Sequence, residues 1–134
     1  MAARMKRLTF DAVREIGLKL PRTAAATAWG SPALTVDGQR FACMAIHKSA
    51  EPNSLVLHMD IPERDDLIEA QPDIYYIADH YINYPCVLVR LARVDRDTLE
   101  DLLRMAHRFV TTENRQRRAA TTRSSKRGPS SSRT

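Results

Sequence analysis

The stretch Pro72–Asp95 reads PDIYYIADHYINYPCVLVRLARVD, and it decides how the second half of the chain folds. Two apolar runs, Ile74–Ile77 and Cys86–Leu91, are rich in the β-branched and aromatic residues that favour strands. The segment Asp79–Tyr84 lies between them and leads into a Tyr-Pro step that marks a turn. The pattern predicts two strands joined by a loop, and all four tyrosines of the chain lie within this stretch.

A helix is predicted on each side of this stretch. Pro62 suits a first helical turn, where its missing N–H is not needed, and Pro72 ends that helix at Gln71. After the stretch, Asp95 can cap a second helix with acids in its first turn and bases in its last. The apolar residues of this helix recur at helical spacing: Leu99, Leu102, Leu103, Ala106, Phe109 and Val110.

The first half of the chain predicts one helix followed by strands. Thr9 can cap a helix that ends before Pro21. The dipeptide Asp37-Gly38 lies between two apolar-rich runs and indicates a hairpin, because both turn residues need positive φ. The segment Ser54–Asp60 alternates apolar and polar residues, which is typical of a half-buried strand, whereas Thr23–Ala28 favours no element.

These elements follow the order α-β-β-β-α-β-β-α. Hairpins imply antiparallel strands, and amphipathic helices need a sheet face to cover, so the order predicts an α+β two-layer sandwich. The length of 134 residues fits one domain, which we assign to residues 1–112. Residues 113–134 contain no large apolar side chain, and we predict that they form a disordered basic tail.

The charge of the chain is concentrated in that tail. Residues 113–134 hold seven bases against one acid, whereas residues 1–112 hold 14 bases and 15 acids. A flexible basic segment binds DNA or another polyanion by releasing counterions, and a solubilising role without a dedicated partner is the alternative. The predicted nucleic-acid contacts are Arg115, Arg117, Arg118, Arg123, Lys126, Arg127 and Arg133.

Catalytic and metal chemistry have weak signals in the sequence. Cys43 and His47 share a strand face, but a zinc site needs two further ligands, so no metal is predicted. Cys86 could pair with His80 as a thiolate, although a cysteine that opens an apolar run is more often a core residue. No glycine-rich phosphate loop occurs, so we predict no cofactor, no catalytic residues and no enzymatic activity.

The aromatic residues around His80 leave a small-ligand site open as a rival hypothesis. Such side chains can stack on a base or line a pocket, and they can equally pack in the core with wet hydroxyl groups. A third possibility is a protein–protein interface on an exposed sheet face. The ligand-site candidates are Trp29, Asp79, His80, Tyr81, Tyr84 and Arg90.

The sequence also predicts the cellular compartment of the protein. The basic N-terminal residues precede no apolar stretch of a secretory signal, and no run is long enough to span a bilayer. The two cysteines, Cys43 and Cys86, are too few for a disulfide scaffold and favour a reducing compartment. We therefore expect a cytoplasmic protein without a membrane partner.

A set of motifs spans Phe10 to Thr112, about three-quarters of the chain. They are Phe10–Arg14, Leu18–Pro21, Trp29–Leu34, Gly38–Ala42, and Tyr76–Tyr81 followed by Tyr84–Leu91. In these motifs and in their order, the chain resembles the MmcQ/YjbR family of small bacterial proteins.

The resemblance implies an α+β fold shared with type III secretion chaperones, described for the family as a double-wing DNA-binding motif. It implies DNA binding and brings no catalytic residues. Two positions depart from the family pattern: Cys86 stands where Trp is frequent, and Gln39 replaces a usual Lys. Both departures weaken a nucleic-acid surface on the body and place the expected affinity in the tail.

Overall fold

The computed structural model describes residues 8–28 and 30–127 of the chain, and it confirms the α+β fold class. A six-stranded antiparallel sheet has the order β1-β2-β3-β4-β6-β5, with three helices against it. The elements are α1 Phe10–Gly17, β1 Thr23–Ala28, β2 Ser31–Val36, β3 Gln39–Met44, β4 Ser54–His58, α2 Ile61–Ala70, β5 Tyr75–Tyr76, β6 Cys86–Arg90 and α3 Arg96–Arg127. A short 3-10 helix, Asp79–Tyr81, lies between β5 and β6.

Strand β1 is the element that the sequence pattern does not indicate. It lies at one edge of the sheet and pairs with β2 from Thr23↔Val36 to Ala28↔Ser31. Alanine has low strand propensity, so this segment forms a strand because β2 offers it a row of backbone partners. The element order therefore contains one more strand than predicted, within the same fold class.

The predicted hairpin at Asp37-Gly38 is confirmed. Both residues have positive φ, 53° and 81°, and they join β2 to β3 with Val36 opposite Gln39. Turns of this kind have a twist that matches the right-handed twist of the flanking strands. The register of β2 and β3 shifts between Leu34 and Thr35, which bends the pair.

Helices α1 and α3 cover one face of the sheet and form the main core. Leu57 of β4 and its strand neighbour Val87 of β6 share this core with Leu99 and Leu103 of α3, and all four side chains are fully buried. Removing a side chain of this size from water contributes roughly 1.5–3 kcal/mol. The core on this face is the layer that the amphipathic helix patterns predict.

The opposite face of the sheet carries a smaller core, and only part of it is covered. Cys43, Val56 and Leu88 lie side by side across β3, β4 and β6, because Cys43 pairs with Val56 and Val56 with Leu88. The segment 77–85 folds back over this row, and its Tyr81 side chain packs there. Strand β4 is therefore buried on both faces along residues 54–57, whereas its alternation predicts burial on one.

Helix α3 begins after Asp95, whose carboxylate accepts a hydrogen bond from the Thr98 N–H at 3.3 Å, as the sequence predicts. The helix continues through Arg127, so residues 113–127 are helical, which differs from the disorder expected there. Their alanines, arginines and glutamine are good helix formers, and extending an existing helix needs no new nucleation. Residues 128–134 lie outside the described residues, and the domain limit at residue 112 stays a prediction.

No helix within residues 8–28 and 30–127 is both long and apolar enough to cross a membrane.

Candidate functional site

A groove opens on the sheet face opposite α1 and α3, where the segment 77–85 leaves the sheet uncovered. We call it the sheet groove, and its volume is about 670 Å3. Strands β3, β4 and β6 supply its base through Cys43, Val56 and Cys86. The folded-back segment supplies a wall through Tyr81 and Tyr84. The groove therefore exists because segment 77–85 shields one part of this face and not the rest.

Two stacked histidines hold the wall of the groove against the connection after β3. The imidazole rings of His47 and His80 lie parallel, with centroids 3.7 Å apart and planes 6° apart. The backbone N–H of His47 donates to the Tyr81 hydroxyl at 3.4 Å, and the ring atom Nδ1 of His47 lies 2.8 Å from Ser49 Oγ. Partial desolvation lowers the pKa of His47, and the nearby His80 and Lys48 lower it further. A neutral His47 ring stacks on its neighbour without charge repulsion.

The third histidine of the groove, His58, is paired with Cys86 across β4 and β6. Burial lowers the pKa of His58 to about 4, and the positive charge of Arg40 acts in the same direction. His58 is therefore neutral at physiological pH, and its ring offers one hydrogen-bond donor and one acceptor.

The two thiols at the base of the groove are protonated and poorly reactive. Burial raises the pKa of Cys86 to about 11. Burial also raises the pKa of Cys43, and the charge of Arg40 and a hydrogen bond from it offset part of that rise. The Cys86 Sγ–H lies 3.9 Å from the Tyr81 carbonyl oxygen, which accepts from it. A thiol with a raised pKa is a weak nucleophile. The thiolate pair of Cys86 and His80 considered from the sequence thus has no electrostatic support.

Metal binding has no ligand set in the part of the chain that the structure describes. No group of three or more His, Cys, Asp or Glu side chains there is arranged to hold an ion. The stacked arrangement of His47 and His80 also presents the ring faces to each other, whereas metal ligation requires ring nitrogens to converge.

The structure separates the ligand-site candidates into three groups. His80, Tyr81 and Tyr84 line the sheet groove. Asp79 begins the 3-10 helix beside them without lining the groove. Trp29 lies outside the described residues, as does Arg133 of the predicted nucleic-acid contacts. The side chains of the other six contacts, on the C-terminal part of α3, also lie outside the described part of the chain.

Arg90, the remaining candidate, belongs to a different cluster. Its guanidinium makes two hydrogen bonds of 2.8 Å to the Glu51 carboxylate and lies 4.3 Å from the centre of the Tyr76 ring. It also donates to the carbonyl oxygens of Pro72 and Asp73. The hydrogen bonds to Glu51 raise the pKa of Arg90 and lower that of Glu51. Arg90 thus ties the loop before β4 to the edge of the sheet.

The buried residue Arg64 is one that the sequence pattern does not identify. It is only 4% exposed, and its guanidinium donates to the carbonyl oxygens of Ile82, Tyr84 and Cys86 at 3.1–3.4 Å. These oxygens belong to the end of segment 77–85 and the start of β6, so Arg64 fixes the wall of the groove. One signal does exist: Arg64 is a base near the start of α2, where the helix dipole favours acids.

Comparisons with known proteins agree with this fold. The structure is similar to the crystal structure of Deinococcus radiodurans protein DR2400, described as a DUF419 domain, with a TM-score of 0.67 and 23% sequence identity. The alignment covers 81% of this chain and 82% of that one, and at this identity it establishes the fold alone. No curated protein matches the sequence.

A family model described as YjbR matches residues 18–109, which is more than half of the chain. The matched region begins just after α1, includes the whole sheet and extends into α3. The resemblance stated from the sequence motifs is thereby confirmed, and the chain belongs to the YjbR family.

Proposed function

We propose that this protein is a non-enzymatic, cytoplasmic DNA-binding member of the YjbR family whose C-terminal segment supplies most of the affinity. The observation that carries the proposal is the separation of charge along the chain. Residues 113–134 have a net charge of +6, and residues 1–112 have a net charge of −1. Nucleic-acid binding needs a concentrated positive field, and that field lies in the tail.

The shape of the segment supports the same proposal. Val110 is the last buried residue of α3 among those described, and the helix continues to Arg127. Residues 111–127 extend about 25 Å at a rise of ~1.5 Å per residue. A helix has the width that the major groove of B-DNA admits, and six of the seven tail bases lie on this helical part.

Binding of this kind depends on salt rather than on base sequence. Each phosphate that a base neutralises releases condensed counterions and adds about −0.9 to the slope of log K against log salt. Five or six contacts would give a slope of about −4.5 to −5.4. We expect little discrimination between duplex sequences, because phosphate contacts position a protein without reading base edges.

The test is a fluorescence anisotropy titration of the full-length protein with a labelled duplex at several salt concentrations. The variant R117Q/R118Q removes two tail charges, and the control R14Q/R104Q removes two exposed charges from the body helices. We expect the tail variant to bind more weakly with a slope shallower by about 1.8, and the control to bind like the wild type.

Two results would overturn the proposal: no salt-dependent binding by the wild type, or equal losses in the two variants. The control is matched in charge change. Arg14 and Arg104 form exposed ion pairs with helix neighbours, which contribute little to stability, and Arg14 also lies 5.7 Å from the centre of the Phe10 ring.

A further inference from the structure

The two edges of the sheet differ in what they offer to another chain. Strand β5, at one edge, contains two residues, and the Arg90 guanidinium donates to the carbonyl oxygens of Pro72 and Asp73 just before it. Strand β1, at the other edge, contains six residues, Thr23–Ala28, and pairs with β2 along its whole length. A long edge strand presents a row of unpaired N–H and C=O groups. Strand β1 is therefore the edge at which a further strand can pair.

Strand β1 has none of the features that usually protect a sheet edge from other chains. Such features are charged side chains, proline and β-bulges. Thr23–Ala28 contains only threonine and alanine, and its pairing with β2 runs residue by residue without a shift of register. Ala24, Ala25 and Thr27 are exposed, so no described part of the chain lies over them. A second strand can thus approach β1 closely.

The hydrogen-bond pattern of β1 shows which of its backbone groups are unpaired. In an antiparallel pair, opposite residues alternate between those that exchange hydrogen bonds and those that do not. The Asp37 N–H donates to the Arg22 carbonyl oxygen at 3.3 Å, which sets the alternation. By this alternation Thr23, Ala25 and Thr27 do not bond to β2, and their N–H and C=O groups point out of the sheet edge.

The sequence of this edge is self-complementary. Residues 23–27 read Thr-Ala-Ala-Ala-Thr, which is the same in both directions. An antiparallel copy of the strand, related by a two-fold axis at Ala25, places Thr23 opposite Thr27 and Ala25 opposite itself. The three residues with outward-pointing groups then exchange about six hydrogen bonds with the copy. Cross-strand pairs of threonine are also favourable in sheets.

We propose that two copies of this protein associate through β1, in antiparallel register about Ala25, and form one continuous sheet. A second copy fits this edge better than an unrelated strand, because the copy carries the reversed sequence that the register needs. Residues 1–112 have a net charge of −1, so the two bodies approach without strong repulsion. One pair of strands buries less than the roughly 1,200–2,000 Å2 of a stable interface, so we expect a dissociation constant on the order of 50 μM.

Sedimentation equilibrium of the full-length protein measures this association. The buffer contains no nucleic acid and about 0.3 M salt, which screens the charges of the tail. Between about 5 and 500 μM protein, we expect the mean mass to rise from that of one chain towards that of two.

Substitutions at the two-fold axis test the register. A25K places two lysines opposite each other, and like charges in that position are unfavourable, so we expect an affinity about fivefold weaker. A25E should behave in the same way, and an equimolar mixture of A25K and A25E should associate at least as tightly as the wild type. The control A70K makes the same change at an exposed position of α2, which contacts β5 and β6, and should associate like the wild type.

A25P tests the backbone contribution without adding charge. Proline at this position removes an N–H that no bond within the described fold uses, and proline is tolerated at edge positions whose N–H points to solvent. We expect A25P to keep the circular dichroism spectrum of the wild type and to associate more weakly.

Amide hydrogen exchange of the wild type locates the interface without any substitution. Between about 50 μM and 1 mM protein, the amides of Thr23, Ala25 and Thr27 should exchange about threefold more slowly, which is the fall in the monomer fraction for a dissociation constant of about 50 μM. The amides of Ala24 and Ala26 bond to β2, so their exchange should change far less.

Four results would overturn the proposal. These are a monomer over the whole concentration range, association that is unchanged in A25K or in A25P, no association in the mixture of A25K and A25E, or equal protection of the three outward-pointing amides at both concentrations. The last result would show that another segment of the same chain covers the edge. Failure of the DNA titration leaves each of these outcomes unchanged.

Discussion

Replacing Arg64 with methionine should destabilise the protein and loosen the wall of the sheet groove. The guanidinium lies beneath the end of segment 77–85 and donates to three carbonyl oxygens, those of Ile82, Tyr84 and Cys86. Methionine has a similar length and no donor, so R64M removes the hydrogen bonds while filling most of the space.

The size of the effect follows from the surroundings of the three oxygens. Ile82 and Tyr84 are exposed residues, and water can replace the lost donor there. Cys86 is buried, and a buried acceptor that loses its donor costs about 1–3 kcal/mol. Removing a buried charge offsets a part of this cost. We expect R64M to lower the free energy of unfolding by about 2 kcal/mol, or the melting temperature by roughly 8 °C for a body of this size.

Urea unfolding followed by circular dichroism measures this change, and R104M is the matched control. Arg104 is exposed and pairs with Glu100 at 2.7 Å, so its loss should cost no more than about 0.5 kcal/mol. R64K keeps the charge without the forked donors and should fall between wild type and R64M. If R64M unfolds like R104M, the loop carbonyls are already satisfied by water and Arg64 does not fix the wall.

Three further predictions concern the core and the groove. The free energy of unfolding should fall as pH falls from about 6.5 to about 4, by at most roughly 3 kcal/mol, because His58 binds a proton in the unfolded chain and not in the folded one. Urea unfolding of H58N should show a weaker dependence of the unfolding free energy on pH in this window. The same pH dependence in H58N and wild type would contradict this prediction. Cys43 and Cys86 should react with Ellman's reagent at pH 8 far more slowly in the folded protein than in urea, since their pKa values are raised; equal rates would refute this. G17A should destabilise the folded protein by about 1–3 kcal/mol in thermal melts, because the added methyl group collides with the buried Leu34 side chain. This cost exceeds the gain from the better helix propensity of alanine. A stabilised G17A would show that Leu34 repacks.

Local sequence patterns predicted those helices, turns and caps that depend only on residues close together in the chain. The Asp37-Gly38 turn needs only its own two φ angles, and the Asp95 cap needs only the N–H of Thr98. The apolar face of α3 also follows from spacing alone. Strand β1 was missed because its alanines carry little strand preference and its stability comes from β2, its neighbour in the sheet.

The groove could be predicted only in part for a related reason. His80, Tyr81 and Tyr84 were singled out as aromatic neighbours in sequence, and they do line it. Their partner His47 lies more than thirty residues earlier, and no spacing rule connects the two. Arg90 was grouped with them by proximity along the chain, yet its partner is Glu51, 39 residues away.

The sequence by itself determined the family, the fold class, most of the helices and strands, and the concentration of charge in the C-terminal segment. These properties follow from periodicity, turn chemistry and composition, which are local or additive along the chain. Only the tertiary structure decided which side chains meet. The strand order β4-β6-β5 brings segment 77–85 back over Cys43 and Val56, and Arg64 fixes it there. Convergence of this kind depends on long-range packing, for which a linear pattern contains no repeating signal.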